Sequence, residues 1–247
     1  MFAQPPPSSQ NNTFHHSKTG IHILLKTMPT ASASIYTITL LRHGESEGNA
    51  SDIIQGQSDY PLTPRGIQQA HKLAARWQGL QASLEGPLFG TILASPLTRA
   101  RQTAEIIATA LSQPVELDPI WIERGFGILD GQPLDDLLKR TPPVDFHHPY
   151  EPPGEGGESS VDLFLRASQA LRSVMLRPVG RYLIVSHGAI LNMVIYAILG
   201  ITPHGHYNSP RFRFGNTAFA NFTYDADTRR WHLLNFENPE DPMSDSR

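Results

Sequence analysis

The chain has 247 residues, no cysteine, a formal net charge of −3 and 39% hydrophobic residues. That apolar share supports a core in one large domain, or in a domain with tails. The charge gives no global basic field for nucleic acid, and the missing cysteines exclude disulfides, zinc–thiolate sites and thiol catalysis.

Residues 1–34 read as a low-complexity extension, expected to be disordered, rich in Pro, Ser, Gln and Asn and without Asp or Glu. Low acidity and Ser/Thr content leave organelle targeting open, although the segment has no Arg and no clear amphipathic period; Met28 is an alternative native start. The β-branched run "IYTITLL" (35–41) predicts a buried strand that spills directly into Arg42, His43 and Gly44. Thr63 and Pro64 then form a cap-plus-proline helix start, with Ile67, Ala70, Leu73, Ala74, Trp77 and Leu80 on one face. "LFGTILAS" (88–95) predicts a second strand. Ser95-Pro96 reads as the start of a helix burying Leu97, Ala100, Ala104, Ile107 and Leu111.

A short strand around "PVEL" precedes an irregular stretch, "WIERGFGILDGQ", and a long Pro/Gly loop over 141–160. Loops of that length in compact domains serve function or are disordered. The loop's five prolines limit disorder, while Gly154, Gly156 and Gly157 offer hinge points. A helix over about 159–176 leads to the strand "RYLIVS" (181–186) and a buried helix over 189–199, stopped by Gly200. Ser186, His187, Gly188 and Asn192 cut this apolar tract into pieces too short to cross a bilayer. "TAFANFTYD" (217–225) and "RWHLLNFE" (230–237) predict an antiparallel hairpin, and 238–247 a disordered tail. The expected fold is α/β: a three-layer α/β/α domain over 35–237, with a mostly parallel central sheet and an antiparallel edge strand. A cytoplasmic location follows as an expectation.

Two predicted strands end in a histidine followed by glycine, at His43-Gly44 and His187-Gly188, and a third ends where Arg99 and Arg101 begin a helix. Ligands of open α/β sheets bind beyond the carboxyl ends of the strands. Parallel strands would therefore bring both imidazoles and an arginine over one sheet edge. Guanidinium groups there would bind and neutralise a phosphate dianion. For "LLRHGESEGN" alone, a solvated turn with a hydrogen-bonded histidine is an equal reading.

"RHGESEGN", "QGQSDYPLTPRG", "SPLTRARQTAEI", "ERGFGILDG" and "VSHG", in this order, resemble the histidine phosphatase superfamily, in its branch of phosphoglycerate-mutase-like phosphatases. The likeness spans roughly Ile35 to Glu237. It implies that His43 is the nucleophile that becomes phosphohistidine, with Arg42, Arg99 and His187 forming the phosphate pocket. Asn49 and Gln55 fall where family members add polar contacts, and Glu123, followed by Gly127 and Gly131, falls at the proton donor. Gly48 departs from the pattern, because a Trp is common there.

The chemistry suits these residue types. A neutral imidazole attacks phosphorus without adding negative charge, and its labile P–N bond divides one hard step into two. Neighbouring Arg42 and Arg99 favour that neutral form. A carboxyl group pressed against a dianion holds the proton that the departing alkoxide needs. Arginines and imidazoles supply the positive charge, so no metal or cofactor is expected.

Arg101 competes with Arg99, Asp130 with Glu123 as donor, and Glu45 and Glu47 are further carboxylates with structural readings. His204, His206, His147 and His148 invite a metal reading, set against exposed loop histidines. "RFRF" (211–214) alternates as a nucleic-acid surface would, or as a strand with one solvated face. The expected substrate is a small phosphorylated metabolite, with no nucleic-acid or membrane partner, bound by a monomer or homodimer. A phosphatase is the first reading; a mutase or a non-catalytic phospholigand-binding domain are the alternatives.

Overall fold

The computed structural model describes residues 34–203 and 210–239. The readings made for the N-terminal extension, for His204 and His206, and for residues 240–247 lie outside the described residues.

Six strands form the central sheet: β1 (Ile35–Arg42), β3 (Thr91–Ala94), β4 (Val115–Leu117), β6 (Arg181–Ser186), β7 (Phe219–Asp225) and β8 (Arg230–Glu237). Their order is β4-β3-β6-β1-β7-β8. The first four strands in that order are mutually parallel, and β7 runs antiparallel to both β1 and β8. The antiparallel element is thus the β7–β8 hairpin, with β8 outermost. A two-stranded ribbon pairs β2 (Ile53–Ile54) with β5 (Gln132–Pro133) and ties the segment after β1 to the one containing Gly131.

Side-chain alternation explains the layers. Tyr36, Ile38 and Leu40 of β1, with Tyr182 and Ile184 of β6, enter one core, and Leu41, Leu183 and Val185 enter the other. The first core is closed by α5 (Ser160–Met175) and α6 (Gly188–Leu199), and the second by α2 (Pro64–Gln81) and α3 (Thr98–Leu111). Strands buried on both faces must be apolar at successive positions, which is why they read as continuous hydrophobic runs. Short helices α1 (Glu47–Ala50) and α4 (Leu134–Leu138) sit in the connections.

Thr63 caps α2 by accepting from Gly66 N at 3.0 Å, with Pro64 at the first helical position, as expected. Ile67 departs from the predicted buried face and is exposed. The start of α3 also differs from expectation. Ser95 does not cap it; the helix begins at Thr98, and its N-cap Leu97 supplies no side-chain bond. The carboxylate of Asp59 takes that role, accepting from Thr98 N at 2.7 Å and Thr98 Oγ1 at 2.6 Å. Strand β3 is shorter than predicted, because Leu88 and Phe89 enter the core from the preceding loop.

The "RFRF" segment lies in no strand, yet its alternation holds: Phe214 is buried while Arg211 and Arg213 are exposed. Asn192 pins this segment through both backbone groups of Phe212, at 2.8 and 2.9 Å. Among the described residues, no helix is long and apolar enough to cross a membrane.

Candidate active site

Parallel register brings three strand ends to one level. Arg42 pairs with Ser186, Ala94 pairs with Val185, and His43 N donates to the Ser186 carbonyl at 3.0 Å. His43, His187 and Ser95 follow directly as neighbours on the carboxyl edge, and the two imidazole centroids lie 5.1 Å apart. Gly44 makes the first turn possible. A Cβ there would lie 2.6 Å from the carbonyl oxygen of Gly66, and one on Gly66 would lie 2.0 Å from that of Glu45. The amino end of α2 can press against the histidine loop only because both side chains are missing.

His43 is 2% exposed, and its Nδ1 lies 2.6 Å from the Gly44 carbonyl. A carbonyl only accepts, so Nδ1 carries the proton and Nε2 keeps its lone pair. Burial first, then Arg42 and Arg99, hold this imidazole well below its usual 6.5 and therefore neutral, against a smaller opposing effect of the Gly44 bond.

His187 is fully buried, with Nε2 2.8 Å from Ser95 Oγ. One arrangement has Ser95 Oγ, which also accepts from Leu97 N at 3.3 Å, give its one hydroxyl proton to Nε2. That assignment places the imidazole proton on Nδ1. Burial, followed by Arg99 and His43, keeps His187 neutral as well.

Arg99 is 1% exposed and donates through Nη2 to Gly56 O at 2.7 Å and through Nη1 to Ser58 O at 2.9 Å. Arg101 instead pairs with Glu105 on the helix surface at 3.3 Å. Of the two arginines only Arg99 belongs to the cluster. Arg42 Nη1 donates to the Phe214 carbonyl at 2.7 Å, which gives the segment after 210 a part in aiming it. Arg42 Nε, Arg99 Nε and His187 Nδ1 are all buried without a protein partner. In that tautomer of His187, three orphaned donors beside one neutral imidazole are what a phosphate dianion would satisfy.

Glu123 approaches from the other side. Its carboxylate accepts from Arg124 N at 2.9 Å and from Ala189 N and Ile190 N at 3.2 Å each. The last two are free N–H groups at the amino end of α6, whose N-cap is His187. Glu123 therefore sits against the helix that begins at the second histidine. Asp130, the competing donor, accepts from Phe126 N at 2.9 Å and Gln57 N at 3.1 Å, whereas the carboxylate bonded to the helix that begins at His187 is that of Glu123. Desolvation raises its pKa, but these bonds give it the work of joining two loops.

Asn49 Oδ1 accepts from Ser46 N at 3.2 Å and Asn216 Nδ2 at 3.1 Å, completing a capping box on α1. Gln55 Oε1 accepts from Ser46 Oγ at 2.7 Å. Both carbonyl ends are thus used inside the protein, and the amide ends are the groups left for a ligand. Gly48 matters to Gln55, since a Cβ there would stand 2.4 Å from Gln55 Cγ. A missing side chain at 48 is filled by a neighbouring one.

Glu45 bonds Thr63 Oγ1 at 2.8 Å and Arg65 at 3.3 Å, and Glu47 is exposed, so both carboxylates are structural or solvent-facing. His147 Nε2 meets Arg211 Nη2 at 2.6 Å, and His148 Nδ1 accepts from Glu151 N at 2.8 Å. Among the described residues no group of three or more His, Asp or Glu side chains could hold a metal ion.

The end of the 141–160 loop also differs from expectation. Instead of hinging, residues 154–158 are seamed to the donor loop: Ile128 N donates to Glu155 O at 3.0 Å and Glu158 N to Gly125 O at 2.8 Å. Gly127 has φ +62°, and a Cβ on it would lie 1.9 Å from Glu155 O. Only glycine fits there. Ser46, Ser95, Asn216 and Arg166 all support the site without having been singled out as site residues; strand-end position was the one signal that marked Ser95.

Comparison with known proteins agrees with this geometry. Residues 38–237 match the model of the histidine phosphatase superfamily, branch 1. Proteins named "Probable phosphoglycerate mutase GpmB" from Yersinia enterocolitica and Yersinia pestis are 37% identical over 196 residues, covering 76% of this chain and 84% of theirs. Among solved structures, Bacillus stearothermophilus YhfR superposes with TM-score 0.69 at 28% identity, covering 83% of this chain and 98% of its own. A phosphoserine phosphatase from Entamoeba histolytica, in complex with 3-phosphoglyceric acid, gives 0.67 at 28% identity with the same coverage. A mycobacterial glucosyl-3-phosphoglycerate phosphatase shares the fold, with TM-score 0.68 at 22% identity over 83% of this chain and 100% of its own. With the family model matched over most of its length and both histidines on one sheet edge, the chain belongs to the histidine phosphatase superfamily.

Proposed function

We propose that this protein is a phosphatase that hydrolyses small phosphate monoesters through a phosphohistidine on His43. The observation that carries the reading is the neutral His43, with Nε2 free, beside three buried and unpartnered donors. In the first step Nε2 forms a bond to phosphorus while the ester P–O bond breaks. Arg42, Arg99 and His187 Nδ1–H hold the phosphoryl oxygens, and the Glu123 carboxylic acid gives its proton to the departing alkoxide. Water then attacks phosphorus and loses a proton to the Glu123 carboxylate. The P–N bond breaks, inorganic phosphate leaves and neutral His43 returns. No metal or cofactor enters either step.

A second reading, phosphoglycerate mutase, is favoured by the names of the 37%-identical relatives. A mutase must retain a bisphosphorylated acid, which calls for extra cations. Only 63 residues separate Glu123 from His187, and 141–160 contains neither Arg nor Lys. Asp145, Glu151 and Glu155 remain acidic there, whereas Glu158 is already neutralised by Arg166 at 2.6 Å and does not count toward repulsion. The test is incubation with 3-phosphoglycerate, with and without 2,3-bisphosphoglycerate, measuring inorganic phosphate and 2-phosphoglycerate. Efficient isomerisation with little phosphate release would overturn the phosphatase reading.

A further inference from the structure

We infer that Arg166, on α5, is a positioning residue that holds the proton donor Glu123 in register with the nucleophile; the inference rests on Glu123 being that donor. A guanidinium has five N–H donors in a rigid fork, and here all five are used. Nε and Nη2 grip Glu158 Oε1 and Oε2 at 2.7 and 2.6 Å. Nη1 donates to Ile120 O at 3.1 Å and Ile122 O at 2.7 Å, and Nη2 also donates to Glu123 O at 3.0 Å. Three carbonyls of the irregular segment that leads into the donor and includes it are thereby fixed by one side chain. Glu158 is held in turn by Gly125 N, which donates to Oε2 at 2.9 Å, just beyond the donor.

The arrangement brackets Glu123. Arg166 fixes the backbone at and before residue 123, and Glu158 fixes it at 125. The Glu123 carboxylate spans the remaining distance to the N–H groups of Ala189 and Ile190. No regular secondary structure sets the backbone between Ile122 and Phe126, so these side-chain bonds replace a ladder. The Arg166–Glu158 pair is largely shielded, with side-chain exposures of 17% and 22%. A lysine at 166 would keep the charge but could not reproduce the fork. The donor would then drift relative to the leaving oxygen, and small misplacements of a catalytic group cost large factors in rate.

The experiment compares Arg166→Lys with wild type on an alkyl phosphate, whose leaving group needs a proton, and on p-nitrophenyl phosphate, whose leaving group does not. We expect kcat/KM, which reports phosphoryl transfer to His43 and not the later hydrolysis common to both esters, to fall about 10–100-fold on the alkyl ester and less than about threefold on the aryl ester. In a Glu123→Gln background, Arg166→Lys should cost no more than about twofold further on the alkyl ester, because its target is already lost. Thermal unfolding is recorded alongside. Should Arg166→Lys fail to fold, Glu158→Gln must give the same alkyl-selective loss. Equal losses on both esters, or a loss that multiplies with that of Glu123→Gln, would overturn the positioning role alone. If Glu123→Gln itself lowers kcat/KM equally on both esters, the donor assignment falls and the inference with it.

Discussion

Replacing Ser95 with alanine asks what holds the second histidine in a state able to donate to phosphate. The Ser95 hydroxyl is the hydrogen-bond partner of His187 Nε2 in a place where both residues are 0% exposed. No bulk water replaces the lost bond, so the variant leaves a buried ring nitrogen unsatisfied, at about 1–3 kcal/mol. At about 1.4 kcal/mol per decade, a penalty felt in phosphate binding lowers kcat/KM roughly 5–150-fold. The part felt in folding lowers Tm by about 2–4 °C for each kcal/mol in a domain of this size. Initial rates on p-nitrophenyl phosphate give the first quantity and thermal unfolding the second. Nitrogen-15 spectra of the imidazoles give the tautomer directly, with the Nδ1–H form of His187 expected in wild type and depleted in Ser95→Ala. A variant with wild-type kcat/KM, or a wild-type His187 protonated on Nε2, would refute the reasoning.

Labelled substrate, quenched without acid, should leave an acid-labile phosphoprotein that is absent from His43→Ala; full activity in that variant would exclude His43 as nucleophile. Stability should fall as pH drops below about 6.5, because the unfolded chain then protonates His43 and His187 while the folded chain, with both held lower, does not. The slope is about 1.4 kcal/mol per pH unit for each histidine, present down to its folded-state value; His43→Ala should lower the slope, and an unchanged slope would contradict the assigned burial effect. Phosphate release should survive exhaustive EDTA treatment, and a loss restored by Mg²⁺ or Zn²⁺ would show that the arginines and imidazoles do not suffice.

Much of the architecture was legible because it is periodic. The strand 181–186 and the helices beginning at Pro64 and after Ser159 carry their boundaries in caps, prolines and apolar spacing, and they fold as read. Arg42, His43 and His187 were legible for a topological reason: strand ends of a parallel sheet converge on one edge. What stayed hidden depends on partners distant in sequence. Ser95 resembles a cap until His187 arrives to bond it, and Asp59 caps a helix 39 residues away. The glycines 154, 156 and 157 look like hinges until Gly125 and Ile128 are found bonded to the backbone beside them. Arg166 gave no local signal at all, since its spacing on α5 is that of an ordinary surface charge, and its work comes from the docked 120–123 segment and from Glu158.

Strand β6 lies between β1 and β3, although both precede it in sequence, with residues 95–180 made in the meantime. On a growing polypeptide, the edges of β1 and β3 that β6 will join therefore wait without that partner. Nothing short of Ser186 closes the gap, and β1 needs β7 as well on its other side. Formation of the sheet is thus dominated by long-range pairings, which slows folding and leaves two apolar edges open to other chains in the meantime. A nascent chain stalled before Arg181 holds His43, Arg99 and Glu123 already made, yet it has neither a phosphate pocket nor a continuous core. Premature termination before β6 is complete should accordingly yield aggregating, inactive protein rather than a weakened enzyme.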